Sequence, residues 1–407
     1  MATPGALAGI RVLDLSRILA GPWATQILAD MGAEVIKIEK PGAGDDTRGW
    51  GPPFLEGPEG RGDAAYYLAA NRNKRSVTLD FTTQDGADIL LRMLPGCQIM
   101  VENFKTGGLA KYGLDYASVA KINPAIVYCS ITGFGQDGPY AQRAGYDYLV
   151  QAMGGLMSIT GQPDGVPGAE PLKVGVAVAD LFSGMYAATG ILAALRHAER
   201  TGEGQQVDIA LLDCQTAMLA NQAMNYFVSG AAPTRLGNAH PNITPYQVFP
   251  TADGHIVLAV GNDGQFRSFC AETGLDALPA DPRFNANPAR IAHRDELVEI
   301  IAGAMRTRTT GAWITALETA GVPCGPINTI DQVFADPQVR ARGMAQTMTR
   351  TDGQDVTLVA SPLKLSRTPP RVEHAPPPLG ADTERVMRDI AGLDGDEIDR
   401  LRARRVL

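Results

Sequence analysis

Over the first 130 positions, apolar residues fall in short, nearly unbroken runs, separated by longer stretches of helical period. The runs IRVLDL (10–15), AEVIKIE (33–39), SVTLDF (76–81), QIMVENF (98–104) and AIVYCSIT (125–132) read as buried strands. Between them, PWATQILADM (22–31), DGADILLRML (85–94) and LDYASVAKI (114–122) read as helices, the first with proline at its start and Gly32 as its stop. This alternation predicts repeated βαβ units and an α/β fold with a parallel, Rossmann-like doubly wound sheet.

The run KVGVAVADLFSGMYAATGILAAL (173–195) carries one carboxylate, Asp180, among apolar and small residues. An ionised group there costs free energy unless it is capped, paired or used. Two readings stand: Asp180 caps a helix that begins at Leu181, or it is a reactive group held at a helix start. A turn at 201–204 then leads to a strand over 205–213. From 230 to about 326 loop signals multiply, as in APTRLGNAHPNITPY, and predict a smaller α+β domain. The expected division is a large domain from 1–205 and 330–407, a linker at 206–229, and a small domain at 230–329. Toward the end, DVTLVASPLKLS (355–366) reads as a strand pair. TPPRVEHAPPPLG (368–380) reads as an extended strap crossing a surface, and a last helix covers 383–390.

With 407 residues, 45% of them hydrophobic, the chain can build two or three cores. Its formal charge of −8 and pI near 5.2 give no basic field for nucleic acid or an acidic membrane surface. An anionic ligand must therefore meet local cations. Five scattered cysteines without a CxxC pair fit a reducing, cytoplasmic setting. Five histidines without HxxxH or HExxH spacing argue against a protein-built metal site. The first ten residues lack a secretory pattern, and the apolar stretch 181–195 is too short and too broken for a membrane span.

Three motifs are open to more than one reading. GFGQDG places Gly133, Gly135 and Gly138 at G-x-G-x-x-G spacing, but Pro139 follows and no helix opens, so the loop shapes some site other than a dinucleotide fingerprint. Basic residues cluster at Arg72, Lys74 and Arg75, at Lys37 and Lys40, and at Lys105 and Lys111. They form either a solvated rim or a ring of cations round a phosphorylated ligand. AVGNDGQF (259–266) is a strand-ending turn, serving as a plain connection or presenting N–H groups to an oxyanion.

Several long segments resemble the class III (CaiB/BaiF-type) CoA-transferases: LDLSRILAGPWATQILADMGAEVIKIEKPGAGDDTRGW, NRNKRSVTLDF, VENF, the run around Asp180 and TGEGQQVDIALLD. The resemblance covers nearly the whole chain. It implies that Asp180 is a covalent nucleophile and that coenzyme A enters as acyl-CoA substrate, with no tightly bound cofactor. By position it implies that Lys40, Lys74, Arg75 and Lys111 face CoA, with Asn103 and Phe104 beside them; Arg72 joins by proximity. It further implies that Gly261, Asn262, Asp263, Gly264 and Gln265 form a loop over the active site. Asn262 and Asp263 interrupt the glycine run of formyl-CoA transferases, which speaks against formyl or oxalate specificity.

Racemases of the family carry histidine in a segment like AGHD. Here the segment is AGYD, and Tyr146 is a poor base at neutral pH. GYDYLVQAMGGLMSITG, NAHPNITPYQVF and VPCGPINT resemble the succinyl-CoA-dependent dicarboxylate branch. That branch implies a small dicarboxylic acceptor whose second carboxylate meets a cation, with Arg48, Arg235 and His240 as candidates and Tyr146 as a further substrate-site residue. The family also implies an intertwined homodimer, each chain a ring threaded by the other. The competing readings are a 2-methylacyl-CoA racemase on the same fold and a non-catalytic CoA-binding protein.

Overall fold

Six parallel strands organise the larger of two compact units in the computed structural model, which describes residues 4–57 and 60–407. The chain runs β1 (Arg11–Asp14), α1 (Ala20–Asp30), β2 (Glu34–Glu39), a hairpin β3 (Phe54–Gly57) and β4 (Gly60–Ala64), then α2 (Ala65–Ala69) and β5 (Lys74–Thr78). It continues through α3 (Gln84–Met93), β6 (Ile99–Glu102), α4 (Tyr116–Ile122), β7 (Val127–Thr132), α5 (Asp147–Met153) and α6 (Leu156–Ile159). After these come α7 (Val178–Thr201), β8 (Gln205–Ala210), α8 (Leu211–Met218) and α9 (Ala220–Ser229).

The sheet order is β5-β2-β1-β6-β7-β8. Winding starts at β1, runs outward to β5, then reverses through β6 to β8. The reversal leaves a crevice beyond the carboxyl ends of β1 and β6, where doubly wound proteins bind ligands.

Period-two alternation feeds two cores, one on each face of the sheet. Leu13, Ile36, Ile38 and Val77 pack with Leu90 and Met93 of α3 and with Val386, Met387, Ile398 and Leu401 of two helices near the end of the chain. Val12, Val35, Val101 and Val127 pack with Leu28 of α1 and Ile191 of α7. Small residues let α7 lie close on α1: a Cβ added to Gly184 would sit 2.7 Å from the Ala20 carbonyl oxygen. By length and composition alone α7 could cross a membrane, yet its Ala179, Ser183, Ala187, Ile191 and Ala194 are buried.

The second unit comprises Met157–Lys173 and Gln222–Asp336. A three-stranded antiparallel sheet of β9 (Tyr246–Pro250), β10 (His255–Ala259) and β11 (Cys324–Pro326) packs with helices Asp263–Thr273, Arg294–Met305 and Thr310–Thr319. Phe249, Phe266, Phe269, Phe284 and Trp313 fill its core.

Three sequence expectations need correction here. The expected linker 206–229 holds edge strand β8 and helices α8 and α9, because β8 pairs along its whole length with β7. The strand over 205–213 stops at Ala210, where α8 begins. The C-terminal strand pair is β12 (Ala345–Thr349) with β13 (Asp355–Val359), so the segment after Val359 is not its second strand. The proline-rich strap lies on its own chain: Asn73 Oδ1 accepts the Glu373 and His374 N–H groups, and the Pro377 carbonyl accepts from Arg48 and Tyr67.

Candidate active site

A cavity of about 280 Å³ occupies the crevice at the switch point. Its walls are the loops that follow β1, β6 and β7, together with the first turn of α7. Arg17 and Asn103 lock the first two loops together, since Asn103 Oδ1 accepts the Arg17 N–H at 2.8 Å and its Nδ2 donates to the Arg17 carbonyl at 2.7 Å. The next residue, Ile18, has φ of +71°, a conformation that a β-branched side chain adopts only when its surroundings impose it. Both Asp45 carboxylate oxygens lie 3.2–3.3 Å from its N–H. Asp45 is fixed in turn by the buried Lys37 ammonium at 2.8 Å. Burial works against the Asp45 charge, but Lys37 outweighs it and brings the carboxyl down to about 2. On the far wall Gly133 and Gly145 cross so closely that a Cβ on Gly133 would lie 2.5 Å from the Gly145 Cα.

Asp180 lines this cavity. Contrary to the capping reading, α7 starts at Val178 with Ala177 as its N-cap, so Asp180 sits in the first turn with its carboxyl free of capping duty. The cap comes from Asp147, whose Oδ1 accepts the Ala179 N–H at 2.8 Å. Burial, and then the Asp147 charge, push the Asp180 carboxyl up to about 7. Tyr146 lines the same cavity and is 63% exposed, leaving its ring and hydroxyl open to a ligand. Three cations also face it: Arg17, Lys105 and Arg143. Arg143 lies over the Phe134 and Tyr140 rings at 5.2 and 4.5 Å, and among the described residues it makes no ion pair.

A second cavity of about 340 Å³ shares Arg17 and Phe104 with the first. Lys40 lines it, and Phe81 and Phe104 meet edge to face at 5.5 Å. An aromatic wall with a lysine among its neighbours suits a purine carrying phosphate. Lys111 stands exposed with its ammonium 4.7 Å from the Tyr112 ring.

The other cations singled out from sequence are not brought to this crevice. Arg72, Lys74 and Arg75 lie at the amino end of β5, whereas the crevice opens at carboxyl ends. Arg72 is buried and forks onto Asp30. Lys74 is fully enclosed, paired with Asp14 at 3.2 Å, and burial brings its ammonium down to about 8. Arg75 pairs with Glu34 at 2.6 Å. Arg48 is buried against Glu39, Asp63 and the Tyr67 ring, so it is a structural cation and not a substrate-reading one.

The remaining candidates belong to the second unit. Arg235 pairs with Asp164. His240 packs on Tyr246, and burial, then Arg294, lower its pKa. The expected glycine-rich lid is a capped helix start: Asn262 Oδ1 accepts the Gln265 N–H, and Gln265 Oε1 accepts the Gly261 N–H. Asp263 pairs with buried Arg290, and Gly264 falls inside the first helical turn.

Sequence reading missed Asp147, Gln151 and Arg143. The AGYD segment held the clue to the first, as a carboxylate beside Tyr146. Among the described residues no group of three or more His, Cys, Asp or Glu side chains is placed to hold a metal ion.

Residues 7–383 match the family described as CoA-transferase family III. A succinate–glutarate CoA-transferase from Agrobacterium fabrum is 54% identical over 95% of this chain and 96% of its own. A human succinyl-CoA:glutarate CoA-transferase is 40% identical over 97% of this chain and 88% of its own. Among solved structures, a CaiB/BaiF family protein from Brucella suis superposes with a TM-score of 0.84 at 46% identity, covering 95% of this chain and all of the other.

Proposed function

The chain belongs to CoA-transferase family III, and from that premise we propose that it moves CoA from succinyl-CoA to a small dicarboxylate such as glutarate, through covalent intermediates on Asp180. The observation that supports this most is the Asp180 carboxyl itself, partly desolvated and open to a cavity at the sheet's switch point with three cations on its walls.

In this reading an Asp180 carboxylate oxygen attacks the thioester carbonyl. The C–S bond breaks, CoA leaves as thiolate, and an aspartyl–succinyl anhydride remains. The thiolate attacks the aspartyl carbonyl, releasing succinate and leaving an aspartyl–CoA thioester. A carboxylate of the acceptor attacks that carbonyl and expels the thiolate to form a second anhydride. The thiolate then attacks the acceptor's acyl carbon, which yields the new CoA thioester and restores the Asp180 carboxylate. No step needs a general base, since every nucleophile is already an anion. What the site must supply is geometry, exclusion of water and positive charge for the anions, which Arg17, Lys105 and Arg143 are placed to give. The aromatic cavity at Phe81 and Phe104, with Lys40, suits the nucleotide end of CoA.

Only the ionised form of Asp180 attacks, and its pKa is raised, so activity is lost as pH falls through about 7 and regained above it. A pH profile of kcat/KM for succinyl-CoA with glutarate should therefore show a rising limb near that value. A flat profile down to pH 5 would count against the assignment. Lys40→Ala and Phe104→Ala should each raise KM for the CoA thioester about tenfold while leaving KM for the acid in place. An unchanged thioester KM in both variants would remove the nucleotide assignment. A panel of dicarboxylates offered with succinyl-CoA, read by chromatography of new thioesters, identifies the acceptor.

Exposed Tyr148 and Met185, and in α9 Phe227 and Val228, fit chains that bury apolar surface against each other in an intertwined homodimer. Sedimentation at micromolar concentration tests this, a monomer being the refuting result. The five cysteines are free thiols, in keeping with a cytoplasmic setting.

A further inference from the structure

The first turn of α7 has no side-chain cap of its own, because its N-cap is Ala177. Its N–H groups are met from another element. Asp147, at the start of α5, accepts at Oδ1 from Ala179 N at 2.8 Å and from Asp180 N at 3.4 Å. Its other oxygen, Oδ2, accepts from Gln151 Nε2 at 2.7 Å. Gln151 is fully buried and accepts the Val174 N–H at 2.9 Å, which ties down the segment leading into α7. Both Asp147 oxygens are thus occupied, and one of them bonds the backbone N–H of Asp180 itself.

We infer that Asp147 is a positioning residue for the transfer reaction, clamping the first turn of α7 so that the Asp180 carboxyl stays in the cavity beside a fixed like charge. The inference rests on the reading of Asp180 as nucleophile. The clamp has two separable effects. Its hydrogen bonds fix where Asp180 stands, and its charge adds to burial in holding the Asp180 proton. The other groups round Asp180 are also identifiable. Tyr66, which follows α2's first residue, feels both carboxylates and is raised by burial and then by Asp180 and Asp147. The loops contribute Arg17, Lys105 and Arg143, whereas α1 and α8 contribute uncharged Ala20 and Leu211.

Two variants separate the effects. In Asp147→Asn the side-chain oxygen still accepts the α7 N–H groups, but the charge is gone; the new amide faces Gln151 Nε2, so Gln151 must turn over and give up Val174. The acid limb of the kcat/KM profile should move to lower pH by about half a unit or more, with kcat on the plateau within about threefold of the parent. In Asp147→Ala the same shift should come with a plateau kcat lower by about ten- to a hundredfold, since the first turn is no longer held. A limb that stays in place in Asp147→Asn overturns the inference, as does a parental plateau in Asp147→Ala. If the alanine variant does not fold, the asparagine variant alone decides.

Trapping with hydroxylamine keeps this apart from the reading beneath it. A hydroxylamine-sensitive acyl or CoA adduct on the Asp180 peptide of the parent protein upholds the nucleophile, and an unmoved limb then refutes only Asp147. No adduct on that peptide refutes the nucleophile itself.

Discussion

Asp180→Asn will lower kcat for CoA transfer at least about a thousandfold, and Asp180→Ala will do the same. Asparagine keeps the size and nearly the shape of the side chain but offers no anionic oxygen to the thioester. The cavities at Arg17, Lys105 and Phe104 do not depend on that oxygen, so binding of acyl-CoA should survive while turnover does not. Chromatography of the product thioester measures the loss, and mass spectrometry of the Asp180 peptide should show the covalent adduct vanish with it. Retention of a tenth of the parental activity in both variants would sink the mechanism. The alanine variant guards against slow deamidation of asparagine back to aspartate.

The second large effect is on stability. Arg48→Ala should lower unfolding free energy by about 3–5 kcal/mol, because it strands a buried carboxylate. Arg48 donates from Nε and Nη2 to the two oxygens of Glu39, each at 2.7 Å, and from Nη1 to Asp63 at 2.9 Å. Its guanidinium also lies 3.7 Å from the centre of the Tyr67 ring. Burial opposes its charge, but Tyr67 and then Glu39 more than offset this, so the guanidinium pKa stands above its ordinary value. Glu39 accepts the Asp45 N–H, and Asp45 holds the strained Ile18 turn, so the damage should reach the crevice. Denaturant midpoints with an unchanged m value would measure the loss. A loss below about 1 kcal/mol would show that the network relaxes round the gap. This outcome also separates the two views of Arg48, since a substrate-reading arginine would raise KM for the acid and leave stability alone.

Why Arg48 was misread shows what sequence can carry. Charge is visible along a chain, but the partner that uses it is not. Arg72 meets Asp30 across 42 residues and Lys74 meets Asp14 across 60, so residues open to reading as rim or ligand cations are internal. The same pairing explains the start of β5: the strand was expected from Ser76 but begins at Lys74, whose buried charge disguised it as loop. The central strands were legible because strands covered on both faces show unbroken apolar runs.

At Asp180 the local capping reading failed, because the N-cap of α7 is Ala177. The cap arrives from 33 residues upstream, beyond the reach of local capping rules. By contrast, Asn262 and Gln265 stand at N-cap and N3 spacing, so that helix start could have been found from sequence. The crevice depended on strand order, which no single segment reveals.

The packing of the last helices has a consequence for how the protein comes into being. Val386, Met387, Ile398, Leu401 and Val406 complete the same core as Leu13, Ile36 and Val77, and the Val406 carbonyl accepts the Asp80 N–H. That face of the sheet, covered in part by Leu90 and Met93 of α3 and Val119 of α4, therefore stays partly open until the last helices have been made. Until then the open part is a ready target for chaperones, and a chain cut before these helices would have its sheet made but part of its core exposed.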